Sequence, residues 1–190
     1  MSDNKPLIWT ERLLKSLQAG KDSPESRFMQ VATCNKDGLP ENRTLVFRQL
    51  DSDKGIIYAV SDLRTAKADA LKANANAAIC WYFTGSREQY RLNCTTTIIT
   101  ADNAPEDIHR AWSEMSVQGK KQFLWGVPGS VRQPAKPLKA EGDMNTPPPH
   151  FCKLAFRADS VDYLNLKGNP QYREFQTRCD SDWQIQAVIP

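Results

Sequence analysis

The sequence predicts a mainly β protein, a small antiparallel barrel with helices at its periphery. Three observations carry that reading. Short apolar runs are joined directly by polar turn signals, such as Asn35-Lys36-Asp37-Gly38 and the stretch 51–55. Sequential hairpins outnumber possible crossovers, which disfavours a parallel α/β sheet. The segment 89–100 alternates cleanly, with Tyr90, Leu92, Cys94 and Ile98 on one face and Gln89, Arg91, Asn93 and Thr95 on the other.

The elements follow in order. Residues 6–19 read as an amphipathic helix through Trp9, Leu13, Leu14 and Leu17, stopped at Gly20. Three strands come next, over 27–33, 42–50 and 55–60. A short helix over 65–74 offers Ala66, Ala70 and Ala73 as a small face for close approach to a sheet. Residues 77–83 are almost continuously apolar, so both faces of that strand need cover, one from the core and one from a second subunit. After the strand 89–100, a helix over 104–115 carries Ile108, Ala111, Trp112 and Met115 on one stripe, and 118–124 continues it after a break. The stretch 125–150 is rich in proline and reads as a loop or lid. A strand pair over 151–158 and 161–166 follows, and 182–189 is the last strand. The whole chain, 1–190, reads as one domain of roughly seven strands and three or four helices.

Composition narrows the function classes. Hydrophobic residues make up 40% and charged residues 25%, ordinary for a folded soluble chain. The net charge is +3, from 25 basic and 22 acidic residues that are interspersed, so no nucleic-acid groove is indicated. No apolar run approaches the roughly 20 residues of a membrane helix, and residues 1–9 lack the apolar stretch of a signal peptide. The expectation is a cytoplasmic protein with neither membrane nor nucleic-acid partner. The five cysteines are odd in number and form no C-x-x-C, which disfavours a disulfide scaffold or a metal site. Cys34, Cys80 and Cys94 read as small core residues. Two histidines, and no H-E-x-x-H, G-x-S-x-G, P-loop or G-x-G-x-x-G, leave a bound cofactor as the source of any chemistry.

Four groups of residues could hold such a cofactor. Arg43 and Arg48 bracket the apolar run Thr44-Leu45-Val46-Phe47, a strand against which a flat amphipathic ligand could lie. Residues five apart in a regular strand point to opposite faces, so the pair fits two surface arginines equally well when taken alone. Thr65 is a good helix N-cap, with Arg64 before it and Lys67 on the first turn, and helix N-termini favour phosphate. Taken alone this is a capped helix with solvated cations; taken with Arg43, several cations could meet one dianion. Gln89 offers a donor and an acceptor that suit the edge of a flavin.

The order of the motifs is more specific than any one of them. Ala32-Thr33, Gly38, Pro40, Arg43 and Arg48 are followed by Tyr58 through Arg64-Thr65-x-Lys67. Then come Trp81, Gln89-x-Arg91, Pro148-Pro149-His150-Phe151 and Asn169-Pro170-Gln171-Tyr172-Arg173. From about residue 28 to 190 the sequence closely resembles the pyridoxamine 5'-phosphate oxidase-like family of FMN-binding split barrels. The segment Gln122-Phe123-Leu124-Trp125 with Pro128-Gly129 looks like its uncharacterised branch.

The resemblance implies an antiparallel split β-barrel, FMN as cofactor, a small-molecule substrate and a homodimer with FMN at the interface. It implies Arg43, Thr65 and Lys67 at the FMN phosphate, with Arg64 compensating for Ala66, which stands where an arginine is usual. It places Thr44, Leu45 and Val46 under the ring, Ala59 and Val60 at a tyrosine-threonine pair, and Gln89 and Arg173 at the flavin. Arg48 stands in place of a substrate-binding lysine, Asn169 and Gln171 in place of an arginine and a histidine that hold substrate, and Cys152 in place of a tryptophan. These departures point to an FMN-dependent oxidoreductase that does not act on pyridoxine 5'-phosphate. A non-catalytic flavin carrier or sensor, a genuine pyridoxamine 5'-phosphate oxidase and an RNA-binding β-barrel are the rivals.

Overall fold

The computed structural model describes residues 7–134, 137–180 and 182–190. Eight strands and four helices lie among them. Helix α1 (Ile8–Ala19) and a 3₁₀ turn (Pro24–Arg27) precede strands β1 (Phe28–Cys34), β2 (Pro40–Asp51) and β3 (Ile56–Asp62). Helix α2 (Ala66–Ala73) leads to β4 (Asn76–Phe83) and β5 (Glu88–Ile99). Helices α3 (Pro105–Ser113) and α4 (Val117–Phe123) come before β6 (Phe151–Asn165), β7 (Tyr172–Cys179) and β8 (Asp182–Val188).

All strand pairings are antiparallel, in the order β3-β2-β1-β4-β5-β6-β7-β8, and β3 also pairs with β6. That extra pairing closes six strands into a barrel and leaves β7 and β8 as an extension. Closure is what removes the open sheet edges. The sequence expectation of an antiparallel barrel with peripheral helices is therefore met.

The barrel interior is filled from all six of its strands, with Leu45 contributed by β2. Met29, Val31, Ile57, Ile79, Trp81, Tyr90, Leu92, Leu154 and Phe156 are all buried there. The Trp81 indole satisfies its one donor on the Ser26 carbonyl at 2.9 Å. Helix α1 lies over one end of the barrel, with Trp9 and Leu13 buried and Ser16 hydrogen-bonded to Glu88 and Tyr90. Leu14, which the helical pattern also assigned to the inner stripe, is exposed. Helix α2 lies at the other end, beside β1 and β5. Its buried residues are Ala68, Ala70 and Leu71, so of the expected small face only Ala70 faces inward. Helices α3 and α4 pack outside β3 and β6, where Ile108, Trp112, Met115 and Phe151 form a second apolar cluster with Val60 and Phe123. Gly55 turns β2 into β3 at φ +65°, and a side chain there would press on Leu7, Trp9 and Arg178.

Three sequence expectations need correction. The strand pair over 151–158 and 161–166 is one strand, β6. Asp159 and Ser160 do not turn the chain, because a register shift against Asn93/Cys94 absorbs one residue as a bulge. The Thr95 hydroxyl donates to Asp159 at 2.7 Å beside that bulge. Strand β7 was not foreseen. Of the cysteines expected in the core, Cys94 is buried, while Cys34 and Cys80 are partly exposed. The strand over 77–83 has one face in the core, as expected, and Ala78 and Tyr82 exposed on the other.

Candidate cofactor site

The end of β3 and the start of α2 bring Lys67 back over the barrel. Its ammonium donates to Ser61 Oγ at 3.3 Å and to Thr65 Oγ1 at 3.2 Å. No carboxylate lies within ion-pair distance of it among the described residues. Burial, and then the positive charge of Arg43, hold the Lys67 pKa below the ordinary lysine value. Arg43 enters from β2, with Nη1 on the Val31 carbonyl at 3.2 Å and on Thr33 Oγ1 at 2.8 Å. Its one ionic partner among the described residues is Glu41, at 3.2 Å and partly exposed. Thr65 does occupy the N-cap position, but its hydroxyl donates to the Asp62 carbonyl at 2.7 Å instead of accepting from the helix. The amides of Ala66 and Lys67 therefore have no capping partner. Two cations, the Ser61 hydroxyl and the opening amides of a helix converge with little negative charge among them, which is the donor set a phosphate dianion takes.

Arg64 is not part of this cradle. It forms a two-pronged pair with Asp62, with Nε 3.0 Å from Oδ1 and Nη2 2.7 Å from Oδ2, and reaches toward the Phe123 carbonyl at 3.4 Å. Burial alone would raise the Asp62 pKa; the hydrogen bonds donated by Arg64 outweigh it and hold it below the usual carboxylate value. Ser61 takes the place in the cradle that the sequence reading gave to Arg64. The signal for it was weak, a hydroxyl at the end of a strand six residues before Lys67. Cys152 lies close by, buried, with its thiol pushed up to about 12 by burial and then by Asp62.

Along β2 the ring-side assignments divide by face. Thr44 and Val46 are exposed on the outside of the barrel, whereas Leu45 is buried within it. Ala59 has no exposed surface and belongs to the barrel core, so its methyl group is not a ring contact. Val60 packs toward α3. Arg48 falls at a register shift between β2 and β3, where Phe47 faces Ala59 and Gln49 faces Tyr58. A bulge of this kind re-aims a side chain. Arg48 borders a cleft of about 270 Å³ together with Arg27, Tyr58, Arg110, Glu114 and Lys153. Burial, and then Arg27, push the Arg48 pKa down. Arg110 and Lys153 both pair with Asp107. Arg27 donates to the Phe47 carbonyl at 3.1 Å.

Gln89 and Arg173 lie elsewhere on the outer surface. Gln89 stands between Tyr82 of β4 and Leu164 of β6. Arg173, opposite Leu164, is paired with Asp162 at 2.9 Å, as is Arg91. From β2 to β5 is three strand spacings, about 14 Å. Asn169 and Gln171 are exposed in the turn between β6 and β7. Arg48 lies near the β2–β3–β6 side, since Gln49 faces Tyr58 and Tyr58 faces Ala155, ten residues before the end of β6. One chain therefore assembles Arg43, Thr65 and Lys67, and does not bring Gln89, Arg173, Asn169 or Gln171 to them.

The stretch 125–150 has no helix or strand among its described residues, and it is tied down. The Trp112 indole donates to the Met144 carbonyl at 3.0 Å and the Glu141 amide to the Leu124 carbonyl at 3.0 Å. No helix of the described residues is long and apolar enough to cross a membrane.

Comparison with known proteins bears directly on this cradle. The model of the pyridoxamine 5'-phosphate oxidase FMN-binding domain matches residues 6–100, half of the 190-residue chain. Pyridoxine/pyridoxamine 5'-phosphate oxidase 2 of Arabidopsis thaliana is 32% identical over 168 residues, 85% of this chain and 84% of that protein. The pyridoxine/pyridoxamine 5'-phosphate oxidase of Myxococcus xanthus (strain DK1622) is 24% identical over 169 residues, 85% of this chain and 81% of that one. A pyridoxamine 5'-phosphate oxidase-related, FMN binding protein from Nostoc punctiforme superposes with a TM-score of 0.90 at 32% identity, covering 98% of this chain and 100% of that one. PhzG from Burkholderia lata 383, at 15% identity and a TM-score of 0.78 over 100% of this chain and 94% of that one, shares the fold. The matched region contains Arg43, Ser61, Thr65 and Lys67, and on this sequence and structural likeness the chain belongs to the pyridoxamine 5'-phosphate oxidase-like family of FMN-binding split barrels.

Proposed function

We propose that this protein is an FMN-dependent oxidoreductase that works as a homodimer on a small molecule other than pyridoxine 5'-phosphate. The observation that carries the reading is Lys67, a partly buried ammonium held by hydroxyls beside a second cation. Such a charge is stabilised by a polyanion placed between it and Arg43. The donors fit a terminal phosphate: Lys67 and Arg43 supply charge, Ser61 supplies a hydroxyl, Thr65 orients the Lys67 ammonium by accepting from it, and the α2 amides supply the rest. Bound there, FMN would supply two-electron redox chemistry. From the cradle, β2 runs five residues to Arg48, roughly 16 Å of extended chain, with Thr44 and Val46 on its outer surface. A flat ring laid along that strand ends beside Arg48, whose positive charge favours a reduced, more negative ring. Gln89 is the second candidate for tuning the ring.

The outer face supports the dimer. Phe28, Val46, Tyr82 and Phe175 are exposed apolar side chains on it, next to Ala78 and Cys80. A second copy seated there would cover them and bring its own Gln89 and Arg173 toward the cradle. The five unpaired thiols support a cytoplasmic setting.

The test is flavin binding. The purified chain should take up about one FMN per chain and bind riboflavin much more weakly, because charge-assisted bonds to phosphate are among the stronger ones. Equal affinity for the two would overturn the reading. A carrier or sensor would bind FMN but show no oxidation of amines or of NAD(P)H under air.

The names of the relatives favour a second reading, oxidation of pyridoxine or pyridoxamine 5'-phosphate. The residues speak against it. Asn169 and Gln171 are neutral, so a substrate dianion loses a cation there and a proton carrier is lost with it. Glu114 adds a negative charge to the cleft of Arg48. Oxidation of pyridoxine 5'-phosphate by FMN-loaded protein should fall below a kcat/KM of about 10⁴ M⁻¹s⁻¹, the lower edge of ordinary enzymes. A value above that would establish the second reading.

A further inference from the structure

The loop between β3 and α2 has two sides. One presents Ser61, Thr65 and Lys67 to the cradle. The other is fastened to the two residues that bound the proline-rich stretch, Phe123 before it and His150 at its end. The Leu63 amide donates to the His150 carbonyl at 2.8 Å. The His150 ring has Nε2 2.8 Å from the Phe123 carbonyl, which Arg64 also approaches at 3.4 Å. Asp62 Oδ2 lies 3.8 Å from the same His150 nitrogen and accepts from Arg64 at 2.7 Å. The backbone carbonyl of Asp62 meanwhile accepts from both the amide of Thr65, at 3.2 Å, and its hydroxyl, at 2.7 Å.

We propose that Asp62 and His150 are positioning residues for the phosphate cradle, clamping the β3–α2 loop to both ends of the proline-rich strap so that Thr65 and Lys67 face the cofactor. The inference rests on the FMN reading above. Asp62 adjoins Ser61 and its carbonyl holds Thr65, so any shift of Asp62 moves two cradle residues together. Its carboxylate is almost fully buried, and a buried carboxylate stays where its partners are. Those partners are Arg64 and His150. Asp62 repels a phosphate, so it acts on the cradle through the backbone and not by contact. The strap is not packed solidly against this clamp: a cleft of about 590 Å³ lies between them, bordered by Arg64, His150, Trp125 and Pro147–Pro149. The link between strap and loop is therefore carried by hydrogen bonds, of which those made by the side chains of His150, Asp62 and Arg64 can be cut by single substitutions, while the Leu63 amide keeps the His150 carbonyl.

The experiment compares His150→Ala, His150→Gln and Asp62→Asn in the full chain, titrating each with FMN and with riboflavin, and melting each without flavin. Loss of the clamp should weaken FMN about tenfold in His150→Ala, the effect of one or two lost hydrogen bonds, and by less in Asp62→Asn, where the removed repulsion offsets part of the loss, with riboflavin changed less than twofold. His150→Gln keeps an N–H that reaches the Phe123 carbonyl and should recover most of the FMN affinity. Equal losses of FMN and riboflavin in folded variants would overturn the proposal, because general loosening does not discriminate phosphate. Unchanged FMN affinity would overturn it as well. If His150→Ala does not fold, the FMN-to-riboflavin ratios of His150→Gln and Asp62→Asn decide. Failure of the FMN reading is seen separately, in the unsubstituted chain, as no preference for FMN over riboflavin.

Discussion

Around Lys67, β3 and α2 of one chain place two hydroxyls within 3.3 Å of its ammonium, and β2 brings in the charge of Arg43. Around Gln89 and Arg173, on β5 and β7 and so two strands from β3 through β6, one chain places a half-buried amide and an arginine already neutralised by Asp162. The first region is preorganised, with its donors fixed by short local connections. The second is a surface among exposed apolar side chains. In the function proposed above, the single chain holds the phosphate, and ring and substrate draw on a second copy. Preorganised donors lose little freedom on binding, so the first region should dominate affinity.

The two regions can be tested against each other, beginning with a change that should fail both. Trp81→Ala empties the centre of the barrel and should cost about 3–5 kcal/mol of stability in urea unfolding. A smaller loss would mean that the barrel interior is not the common support of the two regions. Arg43→Ala touches the cradle alone. FMN binding should weaken by about 1.5–3 kcal/mol in flavin titrations, with the barrel still folded. A folded variant with full FMN affinity would remove Arg43 from the cradle. Ala78→Arg touches the outer face alone. In sedimentation it should shift the protein toward monomer, with about 1 kcal/mol lost from FMN binding as the second copy's Gln89 and Arg173 withdraw. A stable dimer with unchanged flavin content would place the interface elsewhere.

The smallest effect should be the alkaline dependence of FMN affinity. Burial and Arg43 lower the Lys67 pKa in the free protein, and a bound phosphate raises it. Affinity should therefore be full below the free-state pKa and fall as pH rises through it toward the bound-state value. Lys67→Arg, always charged, should flatten that limb. The same limb in Lys67→Arg would assign the titration to another group.

Much of the barrel was legible in the sequence because its signals are local. Residues 89–100 alternate, the stripe Ile108, Ala111, Trp112 and Met115 recurs at helical spacing, and polar turns separate the strands. Strand β7 was not legible, for a physical reason. Its inward residues are Glu174 and Gln176, buried and bonded to each other, with Arg12 and Tyr172 also on Glu174. A strand whose inner face is polar shows no hydrophobic period. Strand β6 misled for a related reason, since Asp159-Ser160 resembles a turn and the bulge that absorbs it depends on β5. In the site, Arg43, Thr65 and Lys67 were singled out by the resemblance to the family together with the helix N-cap beside cations, while Ser61 and the capture of Arg64 by Asp62 left no such mark.

By itself the sequence determined the barrel's strands and turns, the position of α2 behind a hydroxyl residue, and the supply of cations near both. Hydrophobic period and turn chemistry act over a few residues and leave their mark in the order of the chain. The tertiary structure decided which of those cations remain available to a ligand. Asp62 takes Arg64 and Asp162 takes Arg173, while Lys67 and Arg43 are left mainly to hydroxyls and carbonyls. Charge interactions depend on separations of a few ångströms and on burial, and both are set by which distant strands the barrel brings side by side.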